Sequence, residues 1–147
     1  MNHINEIIRS LKYPPTMRYS FSKDKNLIPI GYLNLRINNF IENSSDFFVK
    51  NSNFTFLDIG CSKGFFSLYG NLKCNFKTTS IDVDKPFIDL CNKIKNELSL
   101  DTIDFNCDPF ISYKPVEKFD RIMIGNAYHY LFRESRGTWD WIDKLAC

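Results

Sequence analysis

Three aspartates stand at or near the ends of short strand-like runs: Asp58 inside FTFLDI (54–59), Asp82 closing KTTSID (77–82), and Asp108 following TIDFNC (102–107). An ionised carboxylate only accepts hydrogen bonds. Gly60 and Gly64 follow the first run, with three residues between them. Gly60 lets the chain turn sharply and leaves no side chain in a ligand's way, and Gly64 permits close packing where a helix begins. A fourth run, FDRIMI (119–124), ends in Gly125 and Asn126, with His129 just beyond. The intrinsic pKa of His129 suits a general base. The same histidine could instead bond a nearby backbone group at the start of a turn, and with no partner visible in the sequence that second reading is favoured. Ligand binding at strand tips, with proton transfer as an option, is the chemistry these residue types support.

The elements that must position them are legible from periodicity. Ile4, Ile7, Ile8 and Leu11 recur at helical spacing and predict a short amphipathic helix that ends at Tyr13-Pro14-Pro15. Residues 16 to 30 read as polar and irregular apart from Leu27 to Ile30. Leu33, Ile37, Phe40 and Ile41 predict a second helix closed by Asn43-Ser44-Ser45, and Asp46 to Lys50 a short third piece. From residue 53 strands and helices alternate. Strands are expected at 54–59, 77–82, 102–107 and 119–124, and helices over Lys63 to Tyr69, after Asp84-Lys85-Pro86, and over Trp139 to Leu145. Asp84 suits a helix cap and Pro86 a first turn. In the helix after Pro86, Phe87, Leu90, Cys91, Ile94 and Leu98 form the apolar stripe. Mostly apolar strands alternating with helices predict an α/β fold built on a buried parallel sheet.

Composition sets outer bounds. A chain of 147 residues with 44% hydrophobic and 24% charged residues suits one domain with one core. A net charge of +2 does not by itself argue for nucleic acid or a membrane surface. The five cysteines are odd in number, spread out and without a CxxC pair, so neither a disulfide framework nor a metal site follows. Reduced thiols and the lack of a signal-peptide pattern lead to the expectation of a cytoplasmic protein with no membrane partner. The glycine spacing is neither the GxGxxG of nicotinamide-binding folds nor GxxxxGK[ST], and no Lys-Ser/Thr pair follows, which argues against a nucleoside triphosphate site.

LDIGCSKG, taken in order with TTSIDVDKPFIDLCN, FNCDPF and FDRIMIGNAYHYLF, resembles the motif series of class I S-adenosylmethionine-dependent methyltransferases over roughly residues 53 to 132. Asp58, Gly60 and Gly64 match the first motif, and Ser62 stands where a middle glycine is usual. Any one of these positions alone could be a turn glycine or a surface acid; the ordered set carries the resemblance. The resemblance implies a three-layer Rossmann-like parallel sheet and S-adenosylmethionine as cofactor. It places Asp58 near the methionine ammonium and wraps Gly60, Cys61, Ser62 and Gly64 around that moiety. Asp82, with Val83 beside it, would accept from the ribose hydroxyls, Asp108 and Pro109 would meet the adenine, and Gly125 and Asn126 would face the sulfonium. Phe110 or Ile111 would cover the adenine face. No metal is implied.

In such a protein the cofactor brings the activated methyl group, and the chain positions an acceptor in line with it. NAYH at 126–129 departs from the Asn/Asp-Pro-Pro-Tyr/Phe of relatives acting on amide or nucleobase nitrogens, which leaves an oxygen, or a small-molecule nitrogen or carbon, as the acceptor atom; the acceptor is expected to be a small molecule or RNA. Residues 1–52 are read as an N-terminal helical lid, with Tyr13, Tyr19, Phe21 and Tyr32 as candidates to face the pocket. Residues 53–147 are read as the cofactor-binding core. About four strands are expected where the family usually has seven. A fragment, a second chain completing the sheet, a homo-oligomer, or coverage by the N-terminal segment would each account for that. A non-catalytic binding or partner subunit is the alternative to an enzyme.

Overall fold

A computed structural model of the chain describes residues 1–11, 17–114, 117–125, 127 and 133. Its centre is a parallel sheet of β3 (Thr55–Ile59), β4 (Lys77–Asp82), β5 (Ile103–Cys107) and β6 (Arg121–Ile124), in the order β5-β4-β3-β6. The chain therefore runs outward from β3 through β4 to β5, then returns to the other side of β3 to lay down β6. Register places Asp58 between Ser80 of β4 and Met123 of β6. The α/β class, the parallel sheet and all four strands agree with the sequence reading.

Helices α3 (Phe65–Cys74) and α4 (Lys85–Leu98) cover one face of the sheet. Phe56, Ile103 and Phe105 project to this face and pack with Phe65, Leu68 and Ile94. The other face carries Leu57, Ile59 and Ile81, with Phe119 buried among them and Phe110 and Tyr113 packed against the group. Alternation along each strand divides the two sets.

α3 starts at Phe65, two residues later than Lys63, because Ser62 (φ 51°) and Gly64 (φ 72°) hold left-handed backbone that no α-helix can include. It runs on to Cys74 and stops at Asn75, itself left-handed, whose N–H returns to the Asn71 carbonyl. In α4, Asp84 holds the cap position and Pro86 the first turn, but the Asp84 carboxylate makes no capping bond. Ile88 fills the core place expected of Phe87, which is half-buried.

The first 50 residues pack onto the helical face. α1 (Asn2–Ser10) buries Ile4 and Ile8, one turn apart. α2 (Tyr32–Asn43) buries Leu33 and Ile37. Between them, β1 (Tyr19–Phe21) and β2 (Leu27–Pro29) form an antiparallel hairpin where the sequence reads as irregular. Strands of three residues are too short to display a period of two. What holds them is non-local: the Asn5 side-chain amide donates to the Phe21 carbonyl (2.9 Å) and accepts from its N–H (2.8 Å). Residues 45–47 form a turn in place of the expected helical piece, and Phe48 enters the core with its ring stacked 6.1 Å from that of Phe76.

At the amino ends of the strands, the Asn71 amide reaches the Phe76 carbonyl (2.9 Å), the Thr102 carbonyl (3.1 Å) and the Thr102 hydroxyl (2.8 Å). One side chain thus joins α3 to the approaches of both β4 and β5. Among the described residues no helix is long and apolar enough to cross a membrane. The expected helix over Trp139 to Leu145 lies outside the described residues.

Candidate functional site

The strand order reverses between β3 and β6. Such a switch point leaves a crevice at the carboxyl ends of the strands. Gly60 and Gly125 meet at this point: the Gly125 N–H donates to the Ile59 carbonyl (3.3 Å), and a Cβ on Gly125 would lie 3.6 Å from the Gly60 carbonyl oxygen. Gly60 is left-handed (φ 72°), and a Cβ there would stand 2.5 Å from that of Ala127. Both the turn and the close approach require glycine.

Four residues after Gly60, Gly64 performs the packing task expected of it. A Cβ there would lie 2.7 Å from the Cys91 sulfur and 3.1 Å from the Phe105 ring. Between the glycines, the N–H groups of Gly60 and Cys61 both donate to the Ile81 carbonyl (2.8 and 3.1 Å), which ties the loop to β4. The Cys61 side chain turns inward. A hydrogen bond with Cys91, and then burial, hold its thiol well above the ordinary range. Cys61 is thus a neutral packing group and no nucleophile.

Asp82 joins two loops. One carboxylate oxygen accepts from the Ser62 N–H (2.7 Å) and the other from the Asp84 N–H (2.9 Å). Each oxygen keeps a second lone pair, so Asp82 can still accept from a ligand. Beside it Val83 is 66% exposed, an apolar surface set at the rim. Asp108 and Pro109 are exposed beyond β5, ahead of a short 3-10 turn at Phe110–Ser112. Phe110 packs against the Leu57 and Ile81 face of the sheet.

Asp58 lies lower, on the α3 side of the sheet, and is 2% exposed. Burial raises its pKa to about 6; the Ser67 hydroxyl, donating at 2.5 Å, works against that rise, and the Asp82 charge adds to it. In the loop above, the Ser62 hydroxyl is buried with no hydrogen-bond partner among the described residues.

Gly60, Cys61, Ser62, Gly64, Asp82 and Val83 therefore form one connected rim over Asp58. Gly125 adjoins the rim from β6, and Asp108 and Pro109 flank it from β5. Asn126 and His129 lie outside the described residues, as does Tyr13. Tyr19 and Phe21 do not face a pocket: both are 3% exposed, and their rings pack edge-to-face within the core. Tyr32 stands 58% exposed at the start of α2. A cleft of about 610 Å³ opens alongside β6 between α2 and α3, lined by Arg36, Phe40, Phe47, Phe66 and Ile122 to Gly125 among others. It meets the rim only at Gly125, and its lining includes none of the three aspartates. The rim, defined by strand ends and hydrogen bonds, is accordingly a separate place from this cleft.

Sequence reasoning missed Ser67 and Lys63, and it placed Tyr19 at the pocket where the structure buries it against the loop. Ser67 carries a readable signal, a lone hydroxyl within the apolar stretch FFSLYG, since a buried hydroxyl needs a partner. Lys63 and Tyr19 act through contacts 44 and 52 residues apart in the chain, which no local pattern records.

No protein-family model matches the chain, and no curated protein matches it. Its similarity is to solved structures. Coclaurine N-methyltransferase, solved with N-methylheliamine and SAH, aligns over 99% of this chain and 41% of its own, with 14% identity and a TM-score of 0.60. The N-methyltransferase NodS from Bradyrhizobium japonicum WM9 aligns over 78% of this chain and 62% of its own, with 22% identity and a TM-score of 0.60. A SAM-dependent methyltransferase from Aquifex aeolicus aligns over 65% and 55%, with 22% identity and a TM-score of 0.53. The chain has the Rossmann-like fold of class I S-adenosylmethionine-dependent methyltransferases, and it spans 41% to 62% of the lengths of these three proteins.

Proposed function

We propose that the chain binds S-adenosylmethionine across the carboxyl ends of β3, β4 and β5 and serves methyl transfer to a small molecule or RNA. The observation that carries this reading is the loop Gly60–Gly64, bare of side chains at its turns, joined through the Ser62 N–H to an acid that keeps free lone pairs. The rim suits an adenosyl sulfonium in chemistry as well as shape. Asp82 offers acceptors for two hydroxyls, Val83 offers an apolar surface for a flat ring, the Ser62 hydroxyl lacks a partner, and Asp58 supplies negative charge beneath.

When bound, the cofactor supplies a methyl group already activated on a positively charged sulfur. The chain's own tasks are to hold the nucleoside, exclude water and align the acceptor. Gly125 leaves room at the tip of β6 for an acceptor to approach. His129, four residues on, is the proposed base where the acceptor must lose a proton. The bound N-methylheliamine of coclaurine N-methyltransferase favours a small-molecule acceptor. Residues 1–52 are proposed to close over that acceptor. A second chain is proposed to pair along β6, the edge strand of the described sheet, which a native mass measurement tests.

Calorimetric titration with S-adenosylmethionine, S-adenosylhomocysteine and NAD tests the cofactor; binding of NAD alone would sink the reading. Transfer of labelled methyl groups into cell extract tests turnover. Binding without transfer would favour the second reading, a binding subunit that keeps the nucleoside site.

A further inference from the structure

The loop Gly60–Gly64 is held from below by β4 and, less expectedly, from the side by the N-terminal segment. Tyr19 of β1 is buried, and its hydroxyl donates to the Lys63 carbonyl at 2.5 Å. Its ring packs edge-to-face on Phe65, the first residue of α3, with centroids 5.6 Å apart. Burial, with the neighbouring Cys91 and Cys61, keeps the phenol protonated, so it remains a donor.

Lys63 answers in the other direction. The residue is 2% exposed, and its ammonium donates to the Leu11 carbonyl, just past the last turn of α1. A buried ammonium is costly unless it finds an acceptor, and the carbonyl end of a helix is a favourable one. Backbone and side chain of a single loop residue are thereby fastened to two separate N-terminal elements. β1 is itself locked to α1 by the paired bonds between Asn5 and Phe21. α1, β1 and the loop thus form one closed circuit of hydrogen bonds.

We propose that Tyr19 and Lys63 are positioning residues that couple the docking of the N-terminal segment to the shape of the cofactor loop. Ligand binding at the rim and the order of α1 and β1 are then linked. What rigidifies the loop tightens the segment, and by reciprocity loosening the segment weakens the ligand. The proposal rests on the reading of Gly60–Gly64 as the cofactor loop.

Amide hydrogen exchange on the whole chain tests it, with S-adenosylhomocysteine as the probe. In the unaltered protein, the ligand is expected to slow exchange in α1 and β1 by on the order of fivefold or more, although neither element supplies a rim residue. Tyr19→Phe keeps the ring in the core and removes only the hydroxyl. It is expected to speed exchange at Ser62 and Gly64 without ligand, to weaken ligand binding about fivefold, and to abolish the ligand's effect on α1. Lys63→Met, which keeps the apolar stem, should do the same and serves if the tyrosine variant does not fold. A purely structural role would lower the melting temperature and leave the ligand-dependent protection of α1 intact. That result, or unchanged loop exchange in both variants, overturns the proposal. If S-adenosylhomocysteine does not bind the unaltered protein, the cofactor reading falls separately; loop exchange in the ligand-free variants then decides the coupling.

Discussion

The hydroxyl of Ser67 donates to Oδ2 of Asp58 at 2.5 Å, inside a region closed to solvent and beneath the carboxyl end of β3. A carboxylate that accepts from the Ser67 hydroxyl and the Ser67 N–H is still only partly compensated for losing water. That imbalance is why Asp58 titrates at about 6, above its ordinary 3.8.

Between those two values the folded protein binds more protons than the unfolded chain. Stability is therefore expected to fall as pH rises from about 4 to about 6, by up to about 3 kcal/mol from this group, and then to level off. Asp58→Asn should remove this part of the profile. Urea titrations at pH 4.5 and 7 on both proteins measure it, and parallel profiles would show that Asp58 is not the group.

Cofactor binding is expected to reverse the preference of Asp58 for a proton, because a cationic ligand favours the carboxylate. Affinity for S-adenosylmethionine should then rise with pH through about 6, with protons released on binding. Calorimetry at pH 5.5 in two buffers of different ionisation enthalpy counts those protons. A count of zero there would separate Asp58 from the ligand.

Asp82→Ala should weaken S-adenosylhomocysteine by at least about tenfold, because hydrogen bonds to a charged acceptor are worth about 1.5–3 kcal/mol each. The same change frees the N–H groups of Ser62 and Asp84, so loop order suffers as well. Unchanged affinity by calorimetry removes Asp82 from the site.

Gly64 (φ 72°, ψ 17°) is left-handed, and a Cβ there collides with Cys91 and Phe105, so Gly64→Ala should cost about 2–5 kcal/mol. Gly31 (φ 62°, ψ −130°) has open space around its Cβ position, so Gly31→Ala carries only the cost of backbone that favours glycine, about 1–3 kcal/mol. A shift in the urea midpoint for Gly64→Ala no larger than the left-handed penalty of about 1–2 kcal/mol would contradict the packing role of Gly64.

Ser62→Gly should raise stability by about 1 kcal/mol, since it relieves a left-handed serine and removes a buried hydroxyl without a partner. If the Ser62 hydroxyl meets the cofactor, the same variant should bind S-adenosylhomocysteine more weakly. A thermal melt with and without ligand separates the two effects.

The parallel sheet and its rim were open to sequence reading because each strand ends at or near an acid or a glycine, and FTFLDI and FDRIMI are mostly apolar besides, a signal confined to a few neighbouring residues. Asp82 is a good example: its place at the end of β4 follows from KTTSID alone. Its bonds to Ser62 and Asp84 do not, because they depend on how two loops meet. The β1–β2 hairpin escaped for a similar reason, being fixed by Asn5 more than by its own residues. Phe87 and Ile88 are adjacent and both apolar on α4, so the pattern of residue types alone does not decide which of them faces inward. The buried state of Tyr19 and Phe21 shows the limit of composition. Aromatic residues near a site are as ready to fill a core as to line a pocket.

Asn71 stitches the foot of the sheet, where α3, β4 and β5 begin, while every proposed ligand contact lies some five residues away at the opposite end. Compliance is thereby distributed unevenly along the strands. The base behaves as a clamped root, whereas the rim is anchored through its loop to β4 and to the N-terminal segment, so small rearrangements that admit or release a nucleoside would be carried by those anchors and leave the register of the strands beneath undisturbed.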